Sequence, residues 1–285
     1  MFSAIRALRS ATRLGARRIT TSSEALGLGS VGVGPGKVCH YNLRYDEIAQ
    51  HEDQGVQGRP AVRSKTGAIC VDTGKFTGRS PSDKYVVLED GTRDDPNKRS
   101  DDPSKGVWWG DVNQEMDPAV FDELYGKVQD YYNSLDEFYV FDGYCGANPD
   151  SRRSIRFLGF DATQHHFVKN VRNHKQLLLA CLRSWSGLNR GAVLQMFIRP
   201  DDSALTPTGI DGFEADFTVI NACEIVNENW EEHGLNSEVF VALSVEKKVQ
   251  IIGGTYCESK HEWACTSAFC RSLRGDAFGS QTAAR

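Results

Sequence analysis

The chain has 285 residues, 40% hydrophobic and 25% charged, the balance of a globular protein of one or two domains with a substantial core. This excludes a disulfide-stapled miniprotein and a wholly disordered chain. No run approaches the roughly 20 apolar residues of a membrane helix, so a soluble protein with no membrane partner is expected. The net charge of −5 hides an asymmetry: residues 1–40 carry Arg6, Arg9, Arg13, Arg17, Arg18 and Lys37 against the single acid Glu24, and the remainder is acidic. An acidic body argues against a nucleic-acid partner.

In chain order, the N-terminal arginines recur at helical spacing in a Ser/Thr-rich, acid-poor stretch. That composition predicts a mitochondrial transit peptide, with a plastid or cytoplasmic location as the alternatives. Gly27-Leu28-Gly29-Ser30-Val31-Gly32 has the spacing of a dinucleotide fingerprint, but it lacks a preceding strand and runs into Gly34-Pro35-Gly36. Residues 1–40 are therefore read as a transit peptide and a flexible linker. From Lys65 the texture becomes that of a folded domain. Ala68–Val71 and Tyr85–Leu88 are short apolar runs closed by turn residues, and both predict strands. Asp94–Lys105, with Pro96 and Pro103, predicts a loop. Asp117-Pro118 supplies an N-cap and a proline at the first helical position, and Phe121, Leu124, Tyr125 and Val128 follow at helical spacing, predicting a helix to about Tyr132. Further strands are predicted at Phe138–Phe141, Ile155–Leu158, Phe217–Ile220, Val239–Leu243 and Val249–Ile252. Several strands and few helices predict a mixed α/β domain. The eight cysteines read as reduced thiols.

The residues richest in chemistry are Gly74-Lys75-Phe76-Thr77-Gly78-Arg79-Ser80-Pro81-Ser82-Asp83-Lys84-Tyr85. Two glycines let the backbone approach a ligand, Pro81 stiffens the exit, and the planar guanidinium of Arg79 suits a carboxylate or phosphate. The loop lacks the P-loop pattern. A second segment, Cys145-Gly146-Ala147-Asn148-Pro149-Asp150-Ser151-Arg152-Arg153-Ser154-Ile155-Arg156-Phe157, reads as strand, turn and strand, with Arg152, Arg153 and Arg156 available to pair with acids or anions and Cys145 as a packed thiol.

These two segments resemble the N-terminal half of ATP-dependent phosphoenolpyruvate carboxykinase. So do Trp108-Trp109-Gly110, His166–Asn170, Met196–Pro200, Gly234–Glu238 and Gln250–Thr255, all in that family's order over about Tyr41 to Tyr256. The resemblance implies a mixed-sheet α/β N-terminal domain at 41–256. It implies a lyase: oxaloacetate and ATP would be converted to phosphoenolpyruvate, ADP and carbon dioxide, a decarboxylation belonging to gluconeogenesis. The family's loop arginine binds the dicarboxylate, and the matching position is Arg79. The family also uses ATP with Mg2+ and Mn2+.

Departures from the family pattern are expected to matter. Val171–Gln195 lies between two motifs that are contiguous in the family and is read as an atypical insert. The resemblance stops at Tyr256, so 257–285 is read as an atypical tail. With the family's metal ligands and P-loop nucleotide domain beyond that point, no catalytic, cofactor or metal residue is assigned here, and the chain is expected to be a truncated form, inactive alone, with an apolar surface exposed. Cys257, His261, Cys265 and Cys270 have the chemistry of zinc ligands but not the usual spacing. The alternatives are a non-catalytic dicarboxylate-binding protein or a zinc-stabilised interaction module. The sequence does not set the oligomeric state.

Overall fold

The computed structural model describes residues 20–55, 62–67, 69–70, 83–89, 113–145, 153–165 and 213–255. Its centre is a nine-stranded mixed sheet, so the predicted α/β class is the one that forms. The strands are β1 (Thr20–Ser22), β2 (Val38–Tyr41), β5 (Lys84–Val87), β6 (Gln114–Met116), β7 (Glu137–Cys145), β8 (Arg153–Gly159), β9 (Phe217–Ala222), β10 (Phe240–Ser244) and β11 (Val249–Gly253), in the spatial order β1-β2-β7-β8-β9-β11-β10-β5-β6. Two short strands, β3 (Val62–Arg63) and β4 (Ile69–Cys70), pair separately. Within the large sheet, β1 with β2, β7 with β8 and β10 with β11 are antiparallel, and the other neighbours run parallel. Strands β9, β10 and β11 are buried along their whole lengths, so both faces of the sheet are covered there, which is why their sequences are mostly apolar rather than alternating.

Helix α2 (Pro118–Ser134) forms where the sequence places it: the Asp117 carboxylate accepts from the Ala119 N–H at 2.7 Å, and Pro118 opens the first turn. Its apolar stripe, Phe121, Leu124, Val128 and Tyr132, packs on the sheet face made by Phe138, Val140, Leu158, Ile220, Ile251 and Ala242. The Tyr132 hydroxyl donates to the Asn221 carbonyl at 2.7 Å, tying the helix to β9. Helix α1 (Tyr45–Gln54) has no counterpart among the predicted elements, because its only large aliphatic residue, Ile48, sits among acids and amides and leaves no periodic signal. It starts with the Glu47 carboxylate accepting from the Arg44 N–H at 2.9 Å and ends at Gly55 with φ 65°, a value glycine adopts without strain. Ile48 and Leu43 pack with Tyr139 and Ala162 on the opposite sheet face.

The linker expected to end at residue 40 is corrected by the structure from Thr20 onward. Thr20–Ser22 pairs with β2, and Leu26, Leu28, Val31 and Val33 are buried in the main core. Within the glycine-rich turn the Gly32 N–H donates to the Gly29 oxygen and the Val33 N–H to the Leu28 oxygen. Its outer side is gripped by polar residues of α2: Tyr125 and Gln129 donate to the Val31 carbonyl, and Asn133 bonds both Gly32 and Gly34. The N-terminal arginines, Arg6 to Arg18, lie outside the described residues. Among the described residues the exposed large hydrophobics are Val38 and Val62, so the broad apolar surface expected of a truncated domain is not found there.

Candidate functional site

Strand register sorts the motifs by the end of the sheet they occupy. Lys84, at the start of β5, lies opposite Val241 near the start of β10; Phe240 faces Gly253 at the end of β11, and Gly253 faces Ala222 at the end of β9. Asp83, at the entry to β5, and Gly253-Gly254-Thr255, at the exit of β11, therefore share one end. The Gly234–Glu238 turn, which leads into β10, is there too. Cys145 and Arg153, paired where β7 ends and β8 starts, lie at the opposite end, because Gly159, the last residue of β8, aligns with Asn221 near the end of β9. Among the described residues, parts of three of the seven sequence motifs, Asp83–Tyr85, Gly234–Glu238 and Gly253–Thr255, are thus brought together, and the ends of another, Cys145 and Arg153, are held away.

At the shared end, the buried Asp83 carboxylate accepts from the Ser237 hydroxyl at 2.8 Å, and Ser237 Oγ accepts from the Val239 N–H at 3.2 Å. The Tyr85 hydroxyl accepts from the Asn236 N–H at 2.9 Å, and burial pushes that phenol up, so it stays protonated. Asn236 also donates through Nδ2 to Gln114 of β6 at 2.6 Å. A Cβ on Gly253 would come within 2.6 Å of the Ile225 carbonyl oxygen, and Gly254 has φ +72°, with a Cβ there lying 3.2 Å from the Val239 Cα. Only glycine fits the close passage at Gly253. Thr255 is buried beyond it.

At the opposite end and in the sheet interior, Arg156 forms a bidentate pair with Asp142, Nε to Oδ1 at 2.8 Å and Nη2 to Oδ2 at 2.7 Å, and its third nitrogen donates to the Leu26 carbonyl. Burial pushes the Asp142 carboxyl up, against the pull of Arg156 and of the Tyr41 hydroxyl, which donates at 3.0 Å. Arg156 is thereby a structural cation holding residues 20–33, the N-terminal strap, to the sheet, a role that depends on the β7–β8 register and leaves no local sequence signal. Burial also raises the Cys39 thiol to about 12, so it is a packing residue without nucleophilic character. Nothing in the local sequence pattern signals a cluster beneath α1: His51 Nδ1 is 2.8 Å from the Tyr139 hydroxyl, and His40 Nε2 is 3.0 Å from Glu137. Among the described residues no set of His, Cys, Asp or Glu has metal-holding geometry.

Other residues singled out by the sequence fall elsewhere. Arg79, Arg152, the three motifs Trp108–Gly110, His166–Asn170 and Met196–Pro200, the insert Val171–Gln195, and Cys257, His261, Cys265 and Cys270 lie outside the described residues.

The nine-stranded mixed sheet with its covering helices places the chain in the α/β class. The particular family follows from direct comparison. The profile of the phosphoenolpyruvate carboxykinase family, ATP type, matches residues 37–178 and 179–262, so its two matched segments meet inside the expected insert and run past Tyr256. A relative in Sulfurimonas denitrificans, named phosphoenolpyruvate carboxykinase (ATP), is 40% identical over 83% of this chain and 35% of its own length. One of the same name in Leptospira biflexa is 38% identical over 83% of this chain and 36% of its own, and one in Campylobacter lari is 40% identical over 82% and 35%. The chain belongs to the ATP-dependent phosphoenolpyruvate carboxykinase family and spans about a third of the length of these relatives. These relatives are bacterial, and bacteria have no mitochondria, so the expected mitochondrial address is withdrawn.

Proposed function

We propose that this chain carries the dicarboxylate-binding part of an ATP-dependent phosphoenolpyruvate carboxykinase, a lyase that converts oxaloacetate to phosphoenolpyruvate and carbon dioxide in gluconeogenesis. The observation that supports it most is the convergence, at one sheet end, of the strand starts and ends that carry three family motifs. Arg79 is the residue proposed to hold substrate. A guanidinium presents two parallel N–H groups to a carboxylate, which fixes both its position and its plane. Loss of carbon dioxide from a β-keto acid needs the breaking C–C bond aligned with the ketone π system, so a carboxylate held in one plane shortens the search for the reactive conformer. The enolate that remains is the nucleophile for phosphoryl transfer; ATP and a divalent cation supply that step in the family, and none of the described residues is assigned to them.

Titration of the full chain with oxaloacetate by calorimetry tests the assignment. Saturable binding is expected, with Arg79→Ala weakening it at least about tenfold, equivalent to about 1.4 kcal/mol. Equal affinity in the two proteins would remove Arg79 from the site.

A further inference from the structure

We propose that Asp83 and Ser237 form a positioning latch for the substrate loop, an assignment that rests on the reading of Arg79 above. Arg79 precedes Asp83 by four positions in the sequence. At roughly 3.3–3.6 Å per residue, its Cα can lie no more than about 14 Å from that of Asp83. Whatever fixes Asp83 therefore sets the downstream anchor of the loop.

Asp83 is only 5% exposed, and it receives a hydrogen bond from Ser237 at 2.8 Å. An O–H bond to a buried carboxylate is among the stronger hydrogen bonds available to a protein. Ser237 is itself held rigidly. Its oxygen caps the Val239 N–H, Asn236 is tied to Tyr85 of β5 and to Gln114 of β6, and the Glu238 carbonyl accepts from the Asn227 N–H at 2.9 Å. Gly254 passes directly against Val239, where an added Cβ would lie 3.2 Å from its Cα. The turn 234–239 consequently connects the start of β5 to the exit of β11, two chain segments that carry different family motifs. Strand pairing alone leaves Asp83 outside the ladder, since the registered residues begin at Lys84. The side-chain bond to Ser237 extends the ordered register by one residue toward the loop.

A loop that must present a guanidinium to a planar carboxylate gains from such an anchor, because misplacement by about 1 Å can cost a hundredfold in a precisely aligned step. Ser237 does not touch substrate in this scheme; it acts through Asp83 and the loop.

The test is oxaloacetate affinity in the full chain for Ser237→Ala, Ser237→Thr, Asp83→Asn, Arg79→Ala and the Ser237→Ala/Arg79→Ala double variant, with circular dichroism and the urea midpoint recorded for each. The latch predicts that Ser237→Ala weakens binding about tenfold, that Ser237→Thr, which keeps the hydroxyl, restores most of it, and that Ser237→Ala adds little once Arg79 is gone. Asp83→Asn keeps an acceptor for the Ser237 hydroxyl but loses its charge, so it should weaken binding in the same direction and by less, which keeps the test available if Ser237→Ala folds poorly. Unchanged affinity in a folded Ser237→Ala protein, with Arg79→Ala impaired, overturns the latch alone. A Ser237→Ala defect undiminished in the Arg79→Ala background also overturns it. Wild-type affinity in Arg79→Ala overturns the reading of Arg79 and the latch together.

Discussion

Asp142 and Arg156 show how one residue pair can decide where a longer segment lies. Both are buried, both oxygens of the carboxylate face the guanidinium, and the remaining guanidinium nitrogen reaches the Leu26 carbonyl, more than a hundred residues earlier in the chain. The pair need not add net stability over an apolar replacement, since two charges must be desolvated. Removing one partner is different, because Arg156 would stay charged in the interior. Asp142→Ala is expected to lower the unfolding free energy by about 3–5 kcal/mol in urea denaturation. A change below about 1 kcal/mol would mean that water reaches the guanidinium. The sequence contains both residues, but nothing in local pattern says that positions on two strands of a hairpin face each other. Register, Asp142 against Arg156, is set by the pairing of β7 with β8.

At the scale of elements, legibility followed local signal. Helix α2 carries an N-cap, a first-turn proline and an uninterrupted apolar stripe, and it forms as predicted. Asp117→Ala is expected to cost about 1 kcal/mol, read as a lowered urea midpoint with unchanged slope, because Ala119 loses its acceptor. The long strands β7 to β11 were legible for the same reason, as apolar runs bounded by turns. Strands β1, β2 and β6 and helix α1 were not. Thr20–Ser22 is a three-residue polar segment, Gln114–Met116 carries one apolar residue in three, and α1 has one aliphatic anchor. Their ordering energy comes from neighbours: β1 from its ladder to β2, β6 from β5, α1 from Tyr139 and Ala162. Propensity is a weak prior where tertiary contacts supply the stabilisation.

For the whole molecule, the N-terminal strap is where the structure departs furthest from the expectation. Leu28 is 1% exposed and packs in the same core as α2 and the central strands. Leu28→Ala should therefore cost about 2–5 kcal/mol in equilibrium unfolding, the range for a buried leucine, whereas a linker residue would cost nothing measurable. The sequence by itself determined the fold class, the strongly periodic elements and the family, because long motifs in a fixed order and apolar runs with turn boundaries are one-dimensional signals. It also singled out Arg79 from the chemistry of its loop. Only the tertiary structure decided that Arg156 is an internal cation, that residues 20–33 belong to the core, that Cys145 and Arg153 sit at the sheet end away from Asp83, and that Ser237 meets Asp83. Each of these depends on strand order and register, which bring residues together across long sequence separations, and pairwise contacts of that kind leave no trace in local composition or periodicity.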